Sequence, residues 1–227
     1  MTGMEQIFLN FHGVGEPPPE SDVAERKFWW DEAPFLSALD GISEAISRPP
    51  SAVLVTFDDG NASDVKIALP ALVKRGMTGL FFVCAGRIGM RDYLDVAAIR
   101  DLLSAGMRIG SHGMYHRDWR TLDDADLEAE IGGAKRILED ACGSEIDDVS
   151  IPFGSYDRRV LTKVRSESYY SVYTSDGGTV RPGSWLKARN TLDRSWQWKN
   201  VLEGLEARDS LVSRLRRALV GRYKMLR

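Results

Sequence analysis

The chain has 227 residues, 43% of them apolar, a size at which one hydrophobic core still suffices, and its net charge is -3. No stretch approaches the roughly 20 apolar residues that a membrane span needs, and the N-terminus MTGMEQIFLNFHG lacks a basic start with a long apolar run, so neither a span nor a leader is expected. Cys84 and Cys142 lie far apart and outside any metal-binding spacing, which fits buried thiols and a cytoplasmic location; no nucleic-acid partner is expected.

Charge is unevenly spread. Residues 208–227 carry seven Lys or Arg against one acid, a local charge of +6 that leaves -9 on residues 1–207. The expectation is one barrel-sized domain over 1–207 and a basic C-terminal helix over 208–227. Leu211, Val212, Leu215 and Leu219 share one face of that helix, which suits packing on the domain or peripheral contact with an anionic membrane, on its inner face.

In chain order, seven short apolar or β-branched runs read as strands: residues 6–11, 53–57, 79–83, 107–110, 148–152, 170–174 and 185–189. Helical patterns fill 33–47, 63–75, 95–105, 123–141, 157–167 and 195–206, with a last one near 209–225. Gly76 and Gly106 each follow a helix, where a left-handed cap belongs, and Asp95 and Asp123 suit helix N-termini. Residues 13–50, with EPPPESD and RPP, should form a loop around one helix. Such strand and helix alternation predicts an α/β fold, closed as a barrel or open as a doubly wound sheet. In both, ligand sites gather at the carboxyl ends of the strands.

All three histidines and one acidic pair fall at those ends: His12 after the first strand, Asp58 and Asp59 after the second, His112 and His116 after the fourth. A turn or a first helical coil would put His112 and His116 on one side, Cβ atoms about 5–6 Å apart, a spacing that suits two ligands of one metal. Asp59 would complete a set of two His and one carboxylate that leaves positions open. Plainer readings exist for the same residues: surface or capping histidines, and a solvated strand-end turn whose carboxylates cap the next helix. Adjacent carboxylates at a metal can divide labour, one binding the ion and the other taking a proton from water.

TFDDG at 56–60 and SHGMYH at 111–116 resemble the first two motifs of the polysaccharide deacetylase (chitooligosaccharide deacetylase-like) family, and SIPFG at 150–154 resembles the third. The resemblance runs from about Ile7 to Asn190. It implies a distorted seven-stranded β/α barrel, Asp58 as general base, and Asp59, His112 and His116 as ligands of a divalent metal, zinc above all. It implies further that a backbone N–H at Phe153 helps hold the oxyanion, and that the substrate is an N-acetylated carbohydrate such as a polysaccharide, oligosaccharide or lipid-linked glycan precursor.

This chain also departs from the family pattern. Ser150 stands where the third motif usually opens with an arginine that orients the base, and Arg189, after the seventh strand, is a candidate substitute. No Asp-x-x-Asp-Trp motif is visible, and no Leu-x-His near the C-terminus supplies an acid. His12 can take that role, as in circularly permuted relatives whose acid-bearing strand comes first, because the first and last strands of a closed barrel are neighbours. A catalytically silent sugar-binding relative and an amidohydrolase acting on a non-sugar amide are the alternatives. Tyr115, Trp119, Trp185 and the Trp29-Trp30 pair are aromatics for packing or for a sugar platform.

Overall fold

A computed structural model describes residues 5–19, 23–46, 52–195 and Lys224. The expected helices at 195–206 and 209–225 and the boundary at residue 207 lie outside the described residues, apart from Ser195 and Lys224. The described residues include eight strands: β1 (Gln6–Phe11), β2 (Ala52–Phe57), β3 (Gly79–Val83), β4 (Arg108–Ser111), β5 (Asp148–Ser150), β6 (Ser171–Thr174), β7 (Thr179–Val180) and β8 (Leu186–Thr191). Seven of them run parallel in the order β2-β3-β4-β5-β6-β8-β1, and β1 pairs back onto β2 to close a barrel. The closure is in register over the whole of β1, from Gln6 opposite Ala52 to Phe11 opposite Phe57. β7 is a two-residue antiparallel addition to the amino end of β1, too short to leave a sequence signal.

Alternation along the strands divides the side chains between two regions. Leu9, Phe11, Val55, Phe57 and Phe81 join the large cluster under the helices, and the rings of Phe11, Phe57 and Phe81 stack in sequence with centroids 5.6 and 4.6 Å apart. Phe8, Leu80, Phe82, Tyr173 and Val180 form a separate cluster. The residues of alternating parity that follow them on the strands, Asn10, Thr56, Ser150 and Arg189, make a fully buried polar layer toward the carboxyl ends.

Among the described residues six α-helices pack outside: α1 (Glu32–Ile46), α2 (Leu69–Lys74), α3 (Val96–Ser104), α4 (Asp124–Glu128), α5 (Ala134–Cys142) and α6 (Arg158–Ser166). Phe35, Ala38, Leu39 and Ile42 form the buried stripe of α1 at helical spacing. Asp95, Asp123 and Asp157 cap α3, α4 and α6, each accepting from the N–H three residues on at 2.8, 2.8 and 2.9 Å. The pattern at 123–141 is one path in which a wide π turn, Ala129–Gly133, joins α4 to α5; a similar turn, Asp64–Ala68, leads into α2. Gly76 and Gly106 take φ of 63° and 81°, the left-handed caps the sequence calls for.

Trp29 and Trp30 are packing residues: Trp30 joins the core, and the Trp29 ring occupies the space a Cβ on Gly13 would need. No helix among the described residues is long and apolar enough to cross a membrane. Within 208–227 only Lys224 is described; its Nζ donates to Asp176 Oδ1 (2.6 Å) and the Gly154 carbonyl (3.0 Å).

Gly110 of β4 tests how tightly the barrel is filled. A Cβ there would lie 2.6 Å from the Phe82 ring and 2.9 Å from the Asp148 carbonyl oxygen, and the second neighbour is backbone. Gly110→Ala should cost about 1–3 kcal/mol, read as a lower urea midpoint at unchanged slope. An unchanged midpoint would show a looser interior.

Candidate active site

Ladder hydrogen bonds continue one residue past several strands and fix where the rim begins. Asp58 N–H donates to the Phe11 carbonyl (3.0 Å), His112 N–H to Val83 (2.9 Å) and Ile151 N–H to Tyr173 (3.0 Å). The polypeptide then turns sharply. Asp59, His116 and Phe153 all hold left-handed backbone, with φ of 79°, 58° and 58°, alongside Gly60 and Gly113. For residues with a Cβ such a conformation costs about 1–3 kcal/mol, so the surroundings must enforce it, and it clusters here at one rim.

Asp58 is buried and bonded on both oxygens. Arg189 Nη1 donates to Oδ1 at 2.6 Å and Nη2 to Oδ2 at 2.8 Å, a bidentate pair reaching from β8, and Asn10 Nδ2 donates to Oδ2 at 3.0 Å. Arg189 also donates to Asn10 Oδ1 (2.7 Å), Thr56 Oγ1 (3.3 Å) and Ser150 Oγ. Burial alone would raise the Asp58 pKa, but the Arg189 charge, with His112 and the Arg189 hydrogen bonds, holds it well below the usual carboxylate range. Ser150, where the family pattern expects arginine, instead accepts from the arginine that β8 supplies.

Asp59 points elsewhere. Its Oδ1 is buried without a hydrogen-bond partner, 3.8 Å from His112 Nε2 and 3.6 Å from His116 Nε2. Ligand atoms of these three residues lie within 4.8 Å of one another. His112 Nδ1 meets the Ser150 carbonyl at 2.9 Å, and a proton on Nδ1 there leaves the Nε2 lone pair facing the group, the usual support for a metal-binding imidazole. An orphaned carboxylate oxygen beside two imidazoles, all too far apart to bond one another, fits a divalent cation. Burial would raise the Asp59 pKa, and the charges of His116, His12 and His112 bring it down.

His12 sits one residue past β1, its ring stacked on Phe28 with centroids 4.9 Å apart. Its Nδ1 is buried and makes no hydrogen bond, so that atom is not spent on the Gly13-Val14-Gly15 turn. Phe153 is 60% exposed, its ring 4.4 Å from that of His116. Tyr115 is 59% exposed at the same rim, whereas Trp119 is fully buried.

Of the two expected paths from His112 to His116, a turn or a first helical coil, the coil does not form: Gly113 and His116 at positive φ fold the segment into an irregular turn that brings the ring centroids to 5.0 Å. The sequence reading passed over Asn10 and Thr56. Asn10 carried a usable signal, since it is polar within the apolar run IFLNF and shares the His12 face at a spacing of two.

The class of protein is that of closed parallel β/α barrels carrying a buried, arginine-paired carboxylate and an Asp-His-His cluster at the carboxyl rim. The family model for polysaccharide deacetylases matches residues 45–172, and the chain belongs to that family. It is 26% identical over 128 residues to the Bacillus subtilis protein YxkH, spanning 56% of this chain but only 46% of that relative. A chitooligosaccharide deacetylase of Sinorhizobium fredii is 27% identical over 154 residues, 67% of each chain. The fold is shared with the crystal structure of a Bacillus cereus polysaccharide deacetylase, at a TM-score of 0.77 and 17% identity over 88% of this chain and 69% of that one.

His112 gives the site a pH signature. Burial, opposed by the Asp58 charge, lowers its pKa from 6.5 to about 4. A histidine whose folded pKa lies below its unfolded value binds fewer protons when folded. Its contribution is therefore complete above pH 6.5 and is lost as pH falls toward about 4. Metal-free protein should lose on the order of 3 kcal/mol across that window relative to His112→Gln, measured by urea denaturation. Parallel curves for the two proteins would contradict the burial assigned to this ring.

Proposed function

We propose that the protein is a metal-dependent hydrolase that removes the acetyl group from an N-acetylated saccharide, with Asp59, His112 and His116 as ligands of a divalent cation, zinc in the first instance. The observation that carries this reading is the divided orientation of the aspartate pair. Arg189 and Asn10 hold Asp58 by both oxygens, while Asp59 turns an unbonded oxygen to the two imidazoles. The cation supplies Lewis acidity toward the acetyl carbonyl and toward water.

The remaining steps belong to the chain. A carboxylate offers about four acceptor sites, and Arg189 and Asn10 take three of those on Asp58, leaving one for the proton of the attacking water. The Arg189 charge holds the Asp58 pKa below the usual carboxylate range, which favours the ionised form that can accept a proton. The backbone N–H of Phe153 donates to the oxygen that gains charge as water adds to the carbonyl carbon. Breaking the C–N bond requires a proton on the departing nitrogen, and His12 delivers it. Acetate and an amino sugar leave, and solvent returns the proton from Asp58 to His12. The exposed rings of Phe153 and Tyr115 give the saccharide apolar faces to rest on at the rim.

The two aspartates separate the roles. Asp58→Asn leaves the Arg189 charge buried without its anion, so it should melt earlier, yet its folded fraction should bind one divalent ion as wild type does. Its deacetylation of an N-acetylated oligosaccharide should drop about 10² to 10⁴-fold. Asp59→Asn should lose both metal and turnover. Equal metal loss in the two variants, or full activity after thorough chelation, would overturn the assignment.

A further inference from the structure

Glu130 is a buried carboxylate that the mechanism does not use, 1% exposed, on the π turn between α4 and α5. Among the described residues it makes no ion pair. It accepts instead from three N–H groups of the segment that begins at His112: Met114 N–H at 3.0 Å, Tyr115 N–H at 3.1 Å and the Trp119 indole at 3.3 Å. The opposite side of the same peptides is also fixed, because the carbonyls of Gly113 and Met114 accept from Ala85 and Gly86 N–H, both at 2.9 Å. Gly113 belongs to this clamp: at φ 79°, its missing Cβ would lie 2.7 Å from Glu130 Oε2.

We propose that Glu130 is a positioning residue for metal capture: its carboxylate gathers the backbone between the two histidines and thereby sets the separation of His112 and His116. Without it, the Met114 and Tyr115 N–H groups and the Trp119 indole all lose their acceptor. The left-handed backbone at His116 then has less to hold it against relaxation. The π turn has a direct role, since it places Glu130 beneath the loop while Ile131 and Ala134 on the same path stay in the core. Glutamine is only a partial replacement, because its amide NH₂ would face one of the N–H donors.

This inference rests on the metal reading above, and its test separates the two. Zn²⁺ affinity is measured by competition with a chromophoric chelator for wild type, Glu130→Gln and Glu130→Ala, and amide exchange at Met114 and Tyr115 is followed in metal-free protein. Thermal melts establish the folded fraction. The expected result is a drop in affinity of about 10- to 100-fold for Glu130→Gln, the range for supporting partners of metal ligands, with faster exchange at both amides. Should Glu130→Ala fail to fold, the glutamine variant carries the comparison alone. Lower melting temperature with unchanged affinity in folded Glu130→Gln would make Glu130 a purely structural residue and overturn the proposal. Wild-type protein that binds no Zn²⁺ would sink the metal reading, and the capture role with it.

Discussion

The arginine of β8 and the aspartate beyond β2 form a buried ion pair on which the rest of the site depends. Neither charge is tolerable alone in this interior: an isolated buried ion costs several kcal/mol, and even a pair needs its remaining hydrogen-bonding capacity filled. Arg189 is fully buried, and Asn10, Thr56 and Ser150 supply additional acceptors to its two terminal nitrogens, while its Nε has no hydrogen-bond partner. These residues come from β1, β2 and β5, so the network exists only if the sheet closes and β8 lies beside β1. Closure is thus a condition for the chemistry as well as for the fold.

The same pair determines what its neighbours are free to do. Because Arg189 takes hold of Asp58, the adjacent Asp59 is left to face His112 and His116, and two carboxylates in sequence acquire different surroundings. Small size at Ser150 matters for the same reason. Its hydroxyl accepts from Arg189 and its carbonyl meets His112 Nδ1, so one residue of β5 links the arginine that holds Asp58 to the candidate metal site. The rim loops add a second constraint. Asp59, His116 and Phe153 all stand in left-handed backbone, a cost recovered from the packing beneath, including the Glu130 clamp.

Much of this was legible in the sequence, for local reasons. Strand runs such as IFLNF and GLFFV, the capping Asp95 and Asp123, and the glycines at 76 and 106 act over a few residues, and the structure keeps them. TFDDG and SHGMYH located the aspartates and histidines because strand ends place them at the rim. What escaped is non-local or backbone in origin. Arg189 is a candidate for orienting Asp58 in the sequence, but its bidentate geometry and the Asn10, Thr56 and Ser150 network around it span up to 179 residues and follow from closure rather than from pattern. The irregular path from His112 to His116 depends on Glu130, more than a dozen residues away, and a helix-like spacing of four imitated it. β7 has two residues, too few for alternation to register.

The most direct test of the central claim is the pH dependence of kcat/KM for Arg189→Met, followed on an N-acetylated oligosaccharide with metal content measured in parallel. Removing the guanidinium leaves the burial of Asp58 unopposed by its chief counter-charge, so the carboxyl pKa should rise and the acidic limb should move upward. A displacement of about one pH unit or more, at unchanged metal content, is the result expected if Arg189 keeps Asp58 ionised. An acidic limb that stays in place while the variant folds and holds its metal would contradict the account.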